Sequence, residues 1–496
     1  MKNTTLALGA IACTLLVATP AHAKGQLFIA NLNGAGVSPP TTSLFTGTGY
    51  AVLDDDEARQ TYWAYHNIDG TLTGGEIRRG VAGTNGSGKF TFTDPTSPLG
   101  PVPTIVLSPA ADGVLMRSGG IYMQFLTTAF PNGAIRGQFV PYNFAPQAVT
   151  AQQQAVANAL DLSSGFDDDL NETIVSIARL SAANQATAFE QMSARALSAQ
   201  SSEMLDSLST LQFSLFTHAD EAASPRGHLT YFLKAGYSFG KRGGTTAQLG
   251  ADVDRPYFMG GVDYALTDNA VVGIAVGFAD GTDKLRDGLS KTSVSTTTGM
   301  VYFSAALDRL VVQGVGQYGV SAIETSRNMS ALSTTTMSTH HGEGWSAALK
   351  ASVPFQIGGG SSIAPYALVD VQSAFVNAYD EDNAAGLSVP KIKDKSSGGE
   401  IGASFRGPLG PSLALRLDAG WHKSFGTHGK DVTTSFVGSG ATFTSRILGH
   451  NEGAARLGAA LTTDRTNWLY GEIGYQGYLS QRTKTHGLEA RVTIKM

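Results

Sequence analysis

Residues 487–496 read Gly487-Leu488-Glu489-Ala490-Arg491-Val492-Thr493-Ile494-Lys495-Met496. In an extended chain Leu488, Ala490, Val492, Ile494 and Met496 share one face, and Glu489, Arg491, Thr493 and Lys495 share the other. The same period of two returns upstream, where Leu413, Leu415, Leu417, Ala419 and Trp421 alternate with Ala414, Arg416, Asp418, Gly420 and His422. One such run also fits a soluble sandwich; the array decides. Twelve strands are expected at about 228–239, 257–266, 270–280, 295–307, 309–321, 343–354, 363–376, 398–406, 412–424, 453–462, 467–479 and 486–495. Their links alternate. Those around 267–269, 308, 356–362, 407–411 and 463–466 are short, whereas 240–256, 281–294, 322–342, 377–397 and 425–452 are long and polar; only the last hairpin, near 481–486, breaks the order. An even strand number with short turns on one rim and long loops on the other predicts an antiparallel transmembrane β-barrel. Strands of about 9–11 residues suffice to cross when tilted, and closure gives every backbone polar group the partner that lipid cannot supply.

Two further textures precede this array. From about Gln147 to His218, Gly and Pro nearly vanish and Ala, Gln, Leu, Ser and Glu dominate. Leu170, Ile174 and Ile177 fall at helical spacing, as do Met204, Leu208, Leu211 and Leu215. Asp167-Asp168-Asp169 reads as an N-terminal cap, where acids meet the positive end of the helix dipole; it lacks the alternating ligand spacing of a calcium loop. From Gln26 to about Tyr142 short β runs such as Lys89-Phe90-Thr91-Phe92 and Gly120 to Leu126 are punctuated by Gly, Pro and Asn, which predicts a β-sandwich.

The first 23 residues read as an export signal: Lys2 supplies the positive end, Leu6 to Thr19 the apolar stretch, and Ala21-His22-Ala23 a small-x-small site that places cleavage between Ala23 and Lys24. The single cysteine, Cys13, leaves with that signal, so the exported chain is expected to carry no thiol, which suits a chain that must stay threadable in an oxidising compartment. The 496 residues include 59 Gly and only 15 % charged residues. Their mean hydropathy of −0.03, with no long apolar run, speaks against a helical membrane bundle. A net charge of −5 offers no basic excess for nucleic acid.

Residues 221–496 resemble the C-terminal translocator of autotransporters (type V secretion). Tyr257 to Asn269 with Val272-Gly273-Ile274-Ala275 resembles the second and third strands of that family. Ile363-Ala364-Pro365-Tyr366-Ala367 resembles another of its segments, and the helical stretch with Asn184-Gln185 resembles the segment that precedes the barrel. The resemblance implies insertion in the outer membrane of a Gram-negative cell, contact with outer-membrane lipid, escort by periplasmic chaperones, and recognition of the terminal strand (Leu488, Ala490, Val492, Ile494, Met496) by the barrel-assembly machinery. The family usually ends in an aromatic residue where this chain ends in Met496; the alternating terminal pattern survives, so insertion is still expected, at lower efficiency. The resemblance also implies a helix retained in the pore, and about Ser198 to Asp220 fits, since some twenty residues of helix span about 30 Å.

Residues 25–142 resemble a second family, the CHRD domain. Ser38-Pro39-Pro40 with Gly47-Thr48-Gly49 matches its opening, and Pro131 to Phe139 its closing motif. Many members carry a His-x-His pair in mid-domain and an Asn-x-His near the end; here those stretches read Glu76-Ile77-Arg78 and Gln124-Phe125-Leu126. The imidazoles are gone.

Other chemical-looking stretches read as structural. Gly83 to Lys89 imitates a phosphate loop, but Phe90 follows where Ser or Thr is needed, and a strand follows where a helix is needed. His340-His341 with Glu343 is expected in an exposed loop, Asp54 to Glu57 in a solvated turn, and Gly438-Ser439-Gly440 in a polar loop without the setting of a catalytic serine. His66 reads as a solvated or core-edge residue. Arg416, Asp418, Glu489 and Arg491 are expected to line a polar lumen or touch the plug helix. No catalytic, metal or cofactor residues stand out, and no nucleic-acid partner is expected. The expected protein is thus an outer-membrane autotransporter that displays a small, non-catalytic β-sandwich for an unknown surface ligand. The alternative is a porin-like channel with a periplasmic sandwich.

Overall fold

The computed structural model describes residues 25–55, 59–105, 109–220, 226–245, 249–288, 290–425, 430–447, 452–463 and 468–496. The expected signal and its Ala23/Lys24 junction lie outside them. The chain divides into two compact units, residues up to Tyr142 with Leu162–Phe166, and Asn143–Asp161 with Asp167–Met496.

The first unit contains β1 (Gln26–Asn33), β2 (Thr46–Leu53), β3 (Arg59–His66), β4 (Leu72–Arg79), β5 (Ser87–Thr91), β6 (Leu99–Ile105), α1 (Pro109–Arg117), β7 (Ile121–Thr127), β8 (Ile135–Gln138) and β9 (Val140–Pro141). They form one hydrogen-bonded sheet in the order β5-β4-β7-β8-β1-β2-β3-β6, with β9 beside β1. The sandwich expected from the spacing is thus built by a single sheet folded over its own core. Tyr62 lies near one end of that order and Phe92 just past the strand at the other, yet their rings are 6.5 Å apart, and Phe92 stacks on Phe125. Phe28, Ala51, Tyr62, Ile77, Met123, Phe125 and Ile135 fill the space between. Asn132-Gly133 makes the turn that leads into β8, with Gly133 at φ +133°.

The second unit opens with helices α2 (Ala151–Ser163), α3 (Asp168–Ala178), α4 (Ala182–Gln191) and α5 (Ser198–Ala219). The Asp167 side chain caps α3 by accepting from the Leu170 amide at 3.0 Å, and Leu170, Ile174 and Ile177 are buried, as their spacing predicts. Seventeen strands of this unit follow: β10 (Leu229–Arg242), β11 (Ala251–Thr267), β12 (Ala270–Leu285), β13 (Lys291–Leu307), β14 (Leu310–Met329), β15 (Thr334–Ser352), β16 (Phe355–Gly358), β17 (Ser361–Val376), β18 (Tyr379–Asp380), β19 (Leu387–Val389), β20 (Ile392–Pro408), β21 (Leu413–Phe425), β22 (Lys430–Phe436), β23 (Thr442–Ile447), β24 (Gly453–Thr463), β25 (Leu469–Ser480) and β26 (Thr483–Lys495). Twelve of them run antiparallel as β10 to β15, β17, β20, β21 and β24 to β26. The circle closes through β10 with β26 and β15 with β17.

All twelve expected strands exist, and several are longer than their apolar alternation indicates. The links expected to be long at 281–294 and 322–342 shrink to residues 286–290 and 330–333, because β12 to β15 continue into them. Once both faces of a strand meet polar surroundings the apolar period disappears, while the ladder of backbone hydrogen bonds persists. The links at 377–397 and 425–452 hold β18, β19, β22 and β23, which join in a small four-stranded sheet. Exposed aromatic residues gird the barrel at two levels: Tyr264, Phe303, Phe355 and Trp468 toward the rim of short turns, and Tyr237, Phe278, Tyr318, Trp345, Trp421 and Phe425 toward the other.

Candidate functional site: the lumen and its helix

The sequence of α5, SAQSSEMLDSLSTLQFSLFTHA, contains no Gly or Pro, and it alternates bulky apolar with small polar residues. Met204, Leu208, Leu211 and Leu215 form the expected stripe, yet almost every side of the helix is buried, Ser202, Glu203, Ser207, Ser214 and His218 included. The helix lies inside the barrel against β11 to β15, β17 and β20. Buried polar groups are costly unless they are paired; the wall pairs Glu203, Ser214 and His218, and Ser207 bonds to Glu203 within the helix.

Glu203 receives both arms of Arg255, at 2.5 and 2.7 Å. Arg242 bridges Asp206 and Asp283, at 2.5 Å each. Toward the helix C-terminus the wall turns cationic around the last carbonyls, which lack partners within the helix. Lys234 donates to the Ser214 carbonyl at 3.1 Å and to the Thr217 hydroxyl at 2.8 Å, and pairs with Glu489 at 2.8 Å. Arg416 donates to the Thr217 carbonyl, Lys350 pairs with Asp220 at 2.9 Å, and Arg406 donates to the Asp220 carbonyl at 2.9 Å. His218 sits between Asp263 at 2.8 Å and Arg491 at 3.2 Å, stacked on Phe232. Acids in the N-terminal half of the helix and cations of the wall around its C-terminus follow the helix dipole.

Glycines open the groove in which the helix rests. A Cβ on Gly281 would lie 1.8 Å from a Glu203 carboxylate oxygen, and one on Gly342 would lie 2.8 Å from the Met204 methyl. On the other side, between Thr210 and Phe213 of α5 and a wall that includes His422, Arg456 and Tyr478, a polar cavity of ≈120 Å³ remains. The segment before α5 is gripped at the rim of long loops. Arg327 pairs with the carboxylate of Glu381 and donates to the carbonyls of Gln191 at 3.1 Å and Ser193 at 3.2 Å. Arg195 reaches the Thr245 carbonyl at 2.9 Å, and Gln200 meets Tyr379 at 2.6 Å. A closed barrel thus holds a continuous, largely helical segment of its own chain from rim to rim.

Residues 231–476 match the model of the autotransporter β-domain, and residues 28–139 that of the CHRD domain. Residues 231–476 are an autotransporter β-domain. The translocator domain of the autotransporter NalP from Neisseria meningitidis is 14 % identical, with a TM-score of 0.50 over 60 % of this chain and 99 % of that one. The β-domain of the Bordetella autotransporter BrkA is 14 % identical, with a TM-score of 0.42 over 54 % and 99 %. The transport unit of AIDA-I from Escherichia coli is 10 % identical, with a TM-score of 0.39 over 57 % and 96 %. At these identities the likeness is one of fold. No curated protein matches the chain.

The terminal strand of this autotransporter barrel is β26. Leu488, Val492 and Met496 are exposed, Ala490 and Ile494 lie on the same outward side, and Glu489, Arg491 and Thr493 are buried inside. The Met496 amide donates to the Leu229 carbonyl at 2.9 Å, and its own carbonyl accepts from His228 at 2.9 Å. Arg416, Glu489 and Arg491 touch the plug helix, while Asp418 pairs with Arg416 at 2.9 Å. Lys234, Glu203, Arg242 and Arg255 do not stand out in the sequence; a Lys or Arg on the inward side of a strand otherwise lined by apolar or small residues is the signal of the three cations, and a lone Glu among Ser and Leu in α5 that of Glu203. His340 and His341 lie on β15 and not in a loop: His340 is buried against Tyr379 with ring centroids 3.6 Å apart, while His341 points outward. The strand reaches higher than its apolar period indicates, which is why the loop expectation failed.

In the CHRD domain Glu76 and Gln124 are register partners, and Gln124 and Arg78 both donate to one oxygen of Glu76, at 2.7 and 2.9 Å. The stretches that carry imidazoles in relatives therefore meet in space and hold a self-paired polar cluster here. His66 is half-buried at the core edge. Its Nε2 donates to the Pro95 carbonyl at 2.9 Å, and its Nδ1 accepts from the Ile68 amide at 3.3 Å; burial lowers its pKa. Lys89 stands on β5 and pairs with Asp112 at 3.6 Å, so the phosphate-loop look-alike is a hairpin leading into a strand. Asp54 pairs with Arg59 at 3.0 Å; Asp56 and Glu57 lie outside the described residues. Ser439 sits in a turn and accepts from the Ala441 amide at 2.9 Å.

Proposed function

We propose that this outer-membrane autotransporter carries residues 25–142 across the membrane through its own barrel and displays them at the cell surface as a non-catalytic binding or adhesion module. The observation that carries the reading is the polarity of α5. Its C-terminal end joins β10 at the rim of short turns, where both ends of the barrel lie, and the chain before it leaves among the long loops. A segment in that position has the path of a passenger already delivered. The use of both His66 ring nitrogens by backbone groups and of Glu76 by Arg78 supports a passenger without a general base. The expected partners are outer-membrane lipid, periplasmic chaperones before insertion, the barrel-assembly machinery reading Leu488, Ala490, Val492, Ile494 and Met496, and a surface ligand still to be identified. Protease or a membrane-impermeant label applied to intact cells should reach residues 25–142 while sparing a periplasmic control. Protection of the domain in intact cells, with cleavage after permeabilisation, would instead favour a channel with a periplasmic domain.

A further inference from the structure

The outer wall of the barrel carries one strongly asymmetric charge patch. Lys391, Lys393, Lys395 and Lys423 all project outward and exposed from β20, β21 and the residue before β20. Lys391, Lys393 and Lys395 occupy successive outward positions along one strand, Lys393 as the register partner of Phe375 and Lys395 of Ser373, and Lys423 stands lower on the neighbouring strand as the partner of Gly399. The ammonium groups of Lys391 and Lys393 lie over one ring, 5.4 and 4.8 Å from the Phe375 centroid. Among the described residues no carboxylate pairs with any of the four. The wall of β11 to β15 differs: there Lys284 pairs with Asp254 at 3.7 Å and Arg286 with Asp252 at 3.4 Å. Lys241 and Lys484 also face each other across β10 and β26, but they are two and not four.

Depth gives the patch its meaning. Beneath Lys395 on the same outward face come Val371 and Phe425 at the level of Ser397, then Val369 and Lys423 at that of Gly399, then Ile401 opposite Trp421, the apolar residues all exposed. Aromatic residues of this kind sit at the boundary of hydrocarbon and headgroups. Lys393 and Lys395 are two and one outward positions beyond Phe425, hence in the headgroup layer, and Lys423, one position below Phe425, can extend its ammonium toward that layer. Like charges in succession, with no carboxylate partner among the described residues, repel one another, and a multivalent anion at this depth relieves the repulsion.

We propose that this face binds the phosphates of a bis-phosphorylated glycolipid of the outer leaflet, its acyl chains lying against Val369, Val371 and Ile401. The assignment of leaflet rests on the orientation given above; the binding chemistry does not. The full chain, refolded in zwitterionic detergent micelles, is titrated with bis-phosphorylated lipid A and read by native mass spectrometry. A one-to-one adduct is expected. The triple variant Lys393→Gln/Lys395→Gln/Lys423→Gln should bind about a hundredfold more weakly, at about fivefold per lysine. Lys284→Gln should bind as the parent does, and dephosphorylated lipid A should not compete. Retention of heat-modifiable migration on gels shows that a variant is folded; should the triple variant fail this, the single variants Lys393→Gln and Lys423→Gln, each expected to lose about fivefold, decide the matter. Unchanged affinity in the folded variants, equal binding of phosphatidylglycerol, or displacement by inorganic phosphate would overturn the proposal. Micelle binding together with protection of residues 25–142 on intact cells would uphold the site and reverse its leaflet.

Discussion

Glu203 shows how much rests on single residues in the lumen. It is fully buried and takes both arms of Arg255, whose side chain is itself almost fully buried. Removing one partner of such a pair strands the other charge, at a cost of about 3–5 kcal/mol, whereas replacing both by apolar groups of similar size is often close to neutral. Glu203→Ala should therefore lower the unfolding midpoint in urea strongly, and Glu203→Leu with Arg255→Met should recover most of the loss. Asp112 in the CHRD domain makes a prediction with a sign. Burial pushes its pKa up, but the bond from Arg79 and the charge of Lys89 outweigh this and hold it below the usual carboxylate range. A carboxyl whose folded pKa is depressed contributes fully above its unfolded value of about 4 and loses that contribution as acid protonates the folded form. The protection of amides around α1 and β4, relative to their intrinsic exchange at each pH, should fall below about pH 4 in the parent, and Asp112→Asn should flatten that dependence while weakening the domain at pH 7.

Among the elements, α5 shows what its amino acids state and what they leave open. Its helical spacing, its length and the absence of Gly and Pro are plain in the sequence, and so is the cap that Asp167 gives α3. The seat of α5 is not, because it is cut by glycines on strands far away in the chain. Gly281→Val should unseat the helix and loosen its upper half, read as faster exchange of the α5 amides, while Gly299→Ala, with no atom within 4 Å of the added methyl, should leave it in place. Deleting residues 198–219 should raise the single-channel conductance of the refolded barrel several-fold; an unchanged conductance would deny the helix its role as plug. The stretches beyond the upper aromatic belt were misread for a local reason. Alternation reports lipid on one face only, and above the belt β14 and β15 have polar surroundings on both, so their Thr- and Ser-rich ends resembled loops.

At the scale of the whole molecule, the terminal strand couples assembly to closure. β26 pairs with β10 from Thr483 to Lys495, and Met496 continues the contact through Leu229 and His228. Because the expected assembly signal favours a terminal aromatic, Met496→Phe should raise the yield of folded protein in outer-membrane fractions without shifting the unfolding midpoint of the refolded chain. A shift in the midpoint with no change in yield would make the terminal residue structural only.

By itself the sequence determined the architecture: the number of transmembrane strands, which of their faces is apolar, the long helix before them, and an N-terminal β domain. Each is a local period, imposed residue by residue by whether a side chain meets lipid, water or protein. Only the tertiary structure decided which side chains answer which. Lys234 and Glu489, Arg242 and Asp283, and Arg327 and Glu381 meet because closure and register bring them together. The lysines of β20 and β21 likewise have no carboxylate partner among the described residues, because the one acid between them, Asp394, falls on the other face of the strand. Partner identity in a closed barrel is a property of strand register and helix depth, neither of which leaves a period along the chain.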